Sequence, residues 1–211
     1  MIVDARLSSR VAVRKALAHL RSRDERLAAV IERVGPYKMQ FRPPTFWALT
    51  RSIVFQQLNG RAAGTIFDRL ESACGEITPE TVLKLKMPRL RKLGLSQRKA
   101  EYVRDLAART FAGEIVFEEL AKLADEEVIE RLTQVRGVGV WTVHMFLMFA
   151  LERPDVLPVG DYGIRQAMKR VYELPDLPKP VEMQAIAEPW RPWSSVACWY
   201  LWRSLDVPVE L

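Results

Sequence analysis

One carboxylate and one glycine-containing turn are the residues of this chain whose types and spacing could do chemistry. The carboxylate is Asp161, which lies in the Pro/Gly-rich segment LPVGDYG (157–163) just before a predicted helix. The turn is the segment RGVG (136–139), which separates two stretches with apolar residues at helical spacing. Glycine allows tight turns, and the N–H groups at the start of a helix bind phosphate. The turn therefore predicts a phosphate site, although roughly half of such segments would be ordinary helical corners.

The segments VRGVGVWTVHMF (135–146) and LPVGDYGIRQ (157–166) together resemble the helix-hairpin-helix (HhH-GPD) DNA glycosylases, which carry a Gly/Pro-rich loop ending in an essential aspartate. Within that superfamily the chain is most similar to the alkyladenine, or 3-methyladenine type II, glycosylases, from about residue 10 to residue 205. The segments QQLNG (56–60) and WRPWSS (190–195) extend the resemblance. It implies a compact, monofunctional glycosylase of base-excision repair. Such an enzyme flips N3- or N7-methylated purines out of duplex DNA and hydrolyses the N-glycosidic bond.

The resemblance implies that the hairpin holds the DNA backbone. One phosphate would be clamped by the backbone amides of Gly137, Val138 and Gly139. No cofactor is required, but in relatives a monovalent cation, Na+ or K+, assists when DNA is bound. Here that cation would be held by the backbone carbonyls of Thr133, Val135 and Val138.

A second DNA contact is implied at the turn after the predicted helix 46–57. In the family this turn enters the minor groove and fills the hole left by the extruded nucleotide. The residues at these positions are Gln57, Leu58 and Asn59. An exposed leucine is ordinary on its own, so the structural alternative is a plain turn between two helices.

The chemistry of an alkylated purine explains the other candidate residues. Its base is cationic and a good leaving group, so one carboxylate, Asp161, can stabilise the oxocarbenium-like transition state and guide water. A cationic base prefers electron-rich ring faces. The resemblance and the helical spacing suggest a base pocket of Trp141, Met145 and Trp202, and the alternative is aromatic core. Residues 140–142 include no lysine, so a Schiff-base route to strand cleavage is not expected.

Composition is compatible with a polyanionic partner. Lys and Arg exceed Asp and Glu by 32 − 26 = 6, and the pI is about 9.5. The two cysteines, Cys74 and Cys198, fit neither a zinc site nor an Fe–S cluster, and free thiols fit a reducing cytoplasm. We expect a monomer that binds double-stranded DNA, not a membrane. It would be nucleoid-associated in a bacterium or nuclear in a eukaryote.

The predicted fold is all-α, with two helical lobes and the active cleft between them. Lobe one would combine residues 1–59 with 165–211. Lobe two would hold residues 60–164, including the helix-hairpin-helix at 125–151, whose first helix Asp125 would cap. The sequence shows no alternation of apolar and polar residues of the kind that would predict an additional β domain.

Two other functions remain open. The first is a glycosylase for deaminated or other damaged bases, such as hypoxanthine or ethenoadenine, on the same fold. The second is a helix-hairpin-helix protein that binds DNA without chemistry, which would need neither Asp161 nor an aromatic pocket. The basic run at 89–99 would border the DNA backbone or form a solvated face.

Overall fold

The computed structural model describes residues 7–58 and 60–206, and every regular element in that part of the chain is helical, as predicted. A 3-10 helix at Glu188–Trp190 accompanies the α-helices, none of which is long and apolar enough to cross a membrane. In chain order the α-helices are α1 (Arg10–Arg23), α2 (Glu25–Val34), α3 (Phe46–Phe55), α4 (Gly60–Cys74), α5 (Pro79–Lys84), α6 (Met87–Lys92), α7 (Gln97–Phe111), α8 (Phe117–Leu120), α9 (Asp125–Thr133), α10 (Val140–Phe149), α11 (Tyr162–Val171), α12 (Pro180–Ala187) and α13 (Ser194–Ser204).

Side-chain caps fix several helix starts. Asp24 accepts the Leu27 amide at 2.9 Å and starts α2, and Ser96 accepts the Lys99 amide at 3.2 Å and starts α7. Each cap satisfies one of the amide donors that a helix N-terminus leaves without an intrahelical partner.

The start of α9 differs from the prediction by one residue. Its N-cap is Ala124, and Asp125 is the first helical residue. The Glu127 carboxylate accepts the Ala124 amide at 2.9 Å, which fixes the helix start there. The prediction that Asp125 is the N-cap was therefore wrong, although its charge still suits the positive end of the helix.

The chain divides into two compact units. Unit 1 consists of Met1–Phe41 and Leu147–Leu211, and unit 2 of Arg42–Phe146. These bounds differ from the predicted lobes, because α3 packs on α4 and α7 and so belongs to unit 2. Residues 147–164, which the sequence placed with the hairpin lobe, belong to unit 1.

Each unit is built around one central helix. In unit 2, α7 contacts α3, α5 and α6 and buries Ala100, Val103 and Leu106. In unit 1, α13 is buried along most of its length and contacts α1, α2 and α11. The central helices carry the side chains that hold the candidate site in place.

Candidate functional site

Asp161 is the N-cap of α11 and, among the described residues, the one charged residue that is buried, with 8% of its surface exposed. Its Oδ1 atom accepts a hydrogen bond from the Ile164 amide at 2.8 Å and another from the Trp202 indole N–H at 2.9 Å. The Asp161 amide donates to the Pro158 carbonyl at 2.8 Å, which turns the loop into the helix. Donors from two helices therefore hold the carboxylate in one orientation.

The WRPWSS segment (190–195) anchors the chain that leads to this loop. The Ser195 hydroxyl accepts the Val156 amide at 3.0 Å, and the Ser194 hydroxyl donates to Oδ1 of Asp155 at 2.5 Å. The start of α13 thus fixes the entry to the loop, and Trp202 near its end fixes Asp161.

Trp202 was predicted as an aromatic wall of the base pocket. The structure adds its hydrogen bond to Asp161 and a contact with a second aromatic ring. Its ring stacks on Phe149, with 5.9 Å between centroids and 21° between planes. A Cβ atom on Gly163 would lie 3.1 Å from Cδ1 of Trp202 and 3.2 Å from Oδ1 of Asp161. Gly163 therefore leaves just enough room for the hydrogen bond between these two side chains. Sequence reasoning missed Gly163 and Phe149, although Gly163 lies in the segment it singled out.

The two hairpin glycines differ in backbone conformation and in the space around the position that a Cβ atom would take. Gly137 has φ +78°, and a Cβ atom there would lie 2.1 Å from the Tyr102 ring. Gly139 lacks that backbone strain, and among the described residues nothing lies within 4 Å of its would-be Cβ. Gly139 directly precedes α10, where amide donors and the helix dipole favour an anion. Gly137 therefore serves packing, while Gly139 leaves open space at the helix N-terminus. The sequence analysis had given both glycines the same role, in a tight turn that binds phosphate.

Helix α7 holds the hairpin turn from one side. Oδ2 of Asp105 accepts the Arg136 amide at 2.9 Å, and Glu101 pairs with the Arg136 guanidinium at 3.3 Å. Tyr102, between them on the helix, packs against Gly137. Sequence reasoning gave none of these three residues a role, because two acidic residues and a tyrosine on a helix have no distinctive spacing.

Two residues of the turn between α3 and α4, Gln57 and Leu58, are exposed to solvent. Leu58 is 41% exposed, and Gln57 is exposed with φ +54°. Asn59 lies outside the described residues. An apolar tip so exposed adds little to a core. Single exposed apolar residues are also ordinary, so the wedge role of Leu58 stays a prediction.

Helix α10 carries the other predicted pocket residues. Trp141 is 44% exposed and Met145, one turn later, is half-buried, so both lie on one face. Burial lowers the pKa of the neighbouring His144, so this imidazole is neutral at pH 7.

The predicted cation ligands are backbone oxygens. Thr133 is the last residue of α9, and the Val135 carbonyl accepts the Val138 amide at 3.0 Å. A donor set made only of oxygen suits a hard cation such as Na+ or K+. Within residues 7–58 and 60–206, no cluster of three or more His, Cys, Asp or Glu side chains could hold a metal ion.

This architecture is that of a known class of repair protein. A family model described as HhH-GPD superfamily base excision DNA repair protein matches residues 50–192. The chain therefore belongs to this superfamily.

Similar proteins narrow the comparison. DNA-3-methyladenine glycosylase 1 of Schizosaccharomyces pombe is 36% identical over 198 residues, which cover 90% of this chain and 86% of the relative. The structure of the S. pombe 3-methyladenine DNA glycosylase in complex with abasic DNA superposes with a TM-score of 0.82, covering 92% of this chain and 97% of that one. A DNA-3-methyladenine glycosidase from Bacillus halodurans is 35% identical with a TM-score of 0.81, covering 90% of this chain and 88% of that one.

Proposed function

We propose that this protein is a monofunctional DNA glycosylase of base-excision repair. It flips purines methylated at N3 or N7 out of duplex DNA and hydrolyses their N-glycosidic bond. The observation that carries the proposal is the buried Asp161 carboxylate, held by the Ile164 amide and the Trp202 indole at the start of α11. The 3-methyladenine glycosylases to which the chain is similar support the choice of substrate.

The two units divide the work in this mechanism. Unit 2 holds the DNA: the amides around Gly139 bind a phosphate, and Leu58 occupies the space that the extruded nucleotide leaves. Unstacking the nucleotide costs a few kcal/mol, which these contacts offset. Unit 1 supplies Asp161, whose negative charge stabilises the developing positive charge on the sugar and orients the attacking water. The cationic base leaves as a neutral purine, so no general acid is needed.

The absence of a lysine at the head of α10 supports the monofunctional assignment. Residues 140–142 are Val, Trp and Thr, so no amine there can form a Schiff base with the sugar. Trp141 instead offers an aromatic ring, which attracts a cationic base.

The proposal is tested by base release from methylated duplex DNA. Asp161→Asn should abolish release, because the charge that stabilises the transition state is lost. Asn is as good an N-cap as Asp and keeps an oxygen for both hydrogen bonds, so the melting temperature should stay close to wild type. Activity within a few-fold of wild type would show that Asp161 is only a helix cap.

The same assay separates the rival functions. Release of hypoxanthine or ethenoadenine, with no release of methylated purines, would point to a glycosylase for other damaged bases. Wild-type protein that binds duplex DNA and releases none of these bases would be a binding module. The buried carboxylate of Asp161 argues against the last, since holding DNA does not require it.

We further propose that Na+ or K+ joins the phosphate contact at the hairpin. The carbonyls of Thr133, Val135 and Val138 would hold the ion, whose positive charge would add to the attraction for the phosphate. The ion takes no part in bond cleavage.

A further inference from the structure

Gln56 joins two parts of unit 2 that the sequence treated separately. It is the residue directly before the exposed segment 57–58 and directly after α3. Its side-chain Nε2 donates to the Gly137 carbonyl at 3.0 Å and to the Thr142 hydroxyl at 3.2 Å. Gly137 is in the hairpin turn and Thr142 in the first turn of α10. One amide group therefore connects the wedge segment to the phosphate-binding hairpin.

Lys99, a residue of α7, binds the backbone at the end of α3 that carries Gln56. Its Nζ donates to the carbonyls of Val54 and Gln56, both at 2.6 Å. These carbonyls are at the C-terminal end of α3, where intrahelical donors run out and positive charge is favourable. The ammonium thus fixes the backbone from which the Gln56 side chain extends.

The residue that follows has a conformation that needs such support. Gln57 has φ +54°, which is unfavourable for a residue with a Cβ atom. Strained residues of this kind persist where their surroundings determine them. The bonds of Gln56 and Lys99 on one side of Gln57 supply that constraint, and Leu58 is placed by the turn.

We propose that Gln56 is a positioning residue for nucleotide extrusion, supported by Lys99. It fixes Leu58 relative to the phosphate that the hairpin binds, so the wedge is ordered before DNA arrives and binding does not have to order it. This inference rests on the proposed glycosylase function and adds a residue that touches neither the base nor the sugar.

The test compares Gln56→Met, which keeps the side-chain length and removes the donor, with wild type. Single-turnover excision of a methylated purine from a fully paired duplex should fall by about tenfold. Excision of the same base at a mismatch should fall less, because that base is already partly unstacked. Gln184→Met is the control, since it makes the same change at an exposed position of α12 and should change neither rate by more than about twofold.

A double-mutant cycle distinguishes positioning from a structural defect. If Gln56 acts through Leu58, the pair Gln56→Met and Leu58→Ala should be no slower than Leu58→Ala alone. Lys99→Met should reproduce the pattern of Gln56→Met, which keeps the test available if the Gln56 variant folds poorly. Additive losses, or equal losses on paired and mismatched lesions, would overturn the proposal.

Fluorescence of 2-aminopurine beside the lesion reports unstacking without base release. Wild type should raise this fluorescence in duplex DNA more than Gln56→Met does. If wild type unstacks the probe but releases no base, the glycosylase function fails while the positioning role stands. If both proteins unstack it equally, the positioning role is wrong whatever the enzyme does.

Discussion

Gly163 controls the space around the hydrogen bond between Asp161 and Trp202. A methyl group at Gly163 would press on both partners, at 3.1 Å and 3.2 Å, so one of them must move by a few tenths of an ångström. A shift of either partner changes the hydrogen bond that holds the Asp161 carboxylate in the orientation that we propose for catalysis. Catalysis depends on such small displacements, because misplacing a group by about 1 Å can cost about a hundredfold in rate.

We therefore expect Gly163→Ala to lower single-turnover excision about tenfold. The melting temperature should stay level or rise, because Ala is the better helix former and position 163 is in the first turn of α11. Gly64→Ala, inside α4 with open space around its Cβ, gives the same propensity gain and should keep full activity. A normal rate for Gly163→Ala would mean that the Asp161–Trp202 contact can shift without consequence.

Single residues were predictable from sequence where a local pattern carried the role. Asp161 stands in a distinctive loop, and the exposure of Leu58 follows from a turn between two helices. The indole N–H of Trp202 was not assigned to Asp161, because its partner lies 41 positions away. Gln56 is 81 positions from Gly137, and no periodicity reveals such a pair.

At the scale of elements, the two hairpin glycines differ: Gly137 packs against Tyr102, whereas Gly139 has open space where a side chain would lie. Gly139→Asp places a favourable N-cap side chain before α10, so the helix should be at least as stable as in wild type. Its carboxylate would repel the phosphate that we propose these amides bind. Affinity should fall for damaged and undamaged duplexes alike, and the slope of log K against log salt should shrink by about one contact.

Gly137→Ala is the matched comparison for this prediction. Its methyl group would clash with Tyr102 and its backbone conformation disfavours any side chain, so it should lower the melting temperature. Thermal denaturation and binding titrations over a range of salt concentrations distinguish the two variants. An unchanged salt slope in a folded Gly139→Asp protein would contradict the phosphate contact.

Helix positions were largely predictable, because caps and apolar spacing are local. Asp24 and Ser96 are residue types that commonly cap helices, and each caps one here. What the hairpin rests on was not predictable, since Asp105 and Tyr102 contact a turn more than 30 residues away. Such contacts depend on which helices pack together, and apolar periodicity does not specify that choice.

For the whole molecule, the formal charge of +6 predicts that salt affects the association with DNA more strongly than it affects the chemical step. Attraction to a polyanion weakens with salt, because the screening length falls from about 10 Å at 0.1 M to about 3 Å at 1 M. The association rate with undamaged duplex should therefore drop steeply with salt, whereas single-turnover excision at saturating protein should change little. Stopped-flow binding and quenched-flow excision measure the two. A chemical step as salt-sensitive as binding would contradict this prediction.

The sequence indicated an all-α chain whose two ends belong to one unit. It misplaced the boundaries, because the pairing of α3 with α7 depends on which buried faces match. Helices α1 and α2, which precede Arg42, pack with α11 and α13, which follow Phe146, in unit 1. The sequence identifies the helices that could pack together, but the choice of partners depends on tertiary contacts.

Unit 1 is made of two segments that are far apart in the sequence, and this affects the order in which the chain can fold. Unit 2 is one continuous stretch, so its contacts can form as soon as residue 146 has been synthesised. Unit 1 must wait for α13, which packs on α1 and α2 from the opposite end of the chain. Because closing such long loops is slow, we expect unit 2 to fold before unit 1, which carries Asp161. If the proposed roles are right, we expect a ribosome-bound chain in which only unit 2 has folded to bind DNA without releasing a base, and base release to require α13.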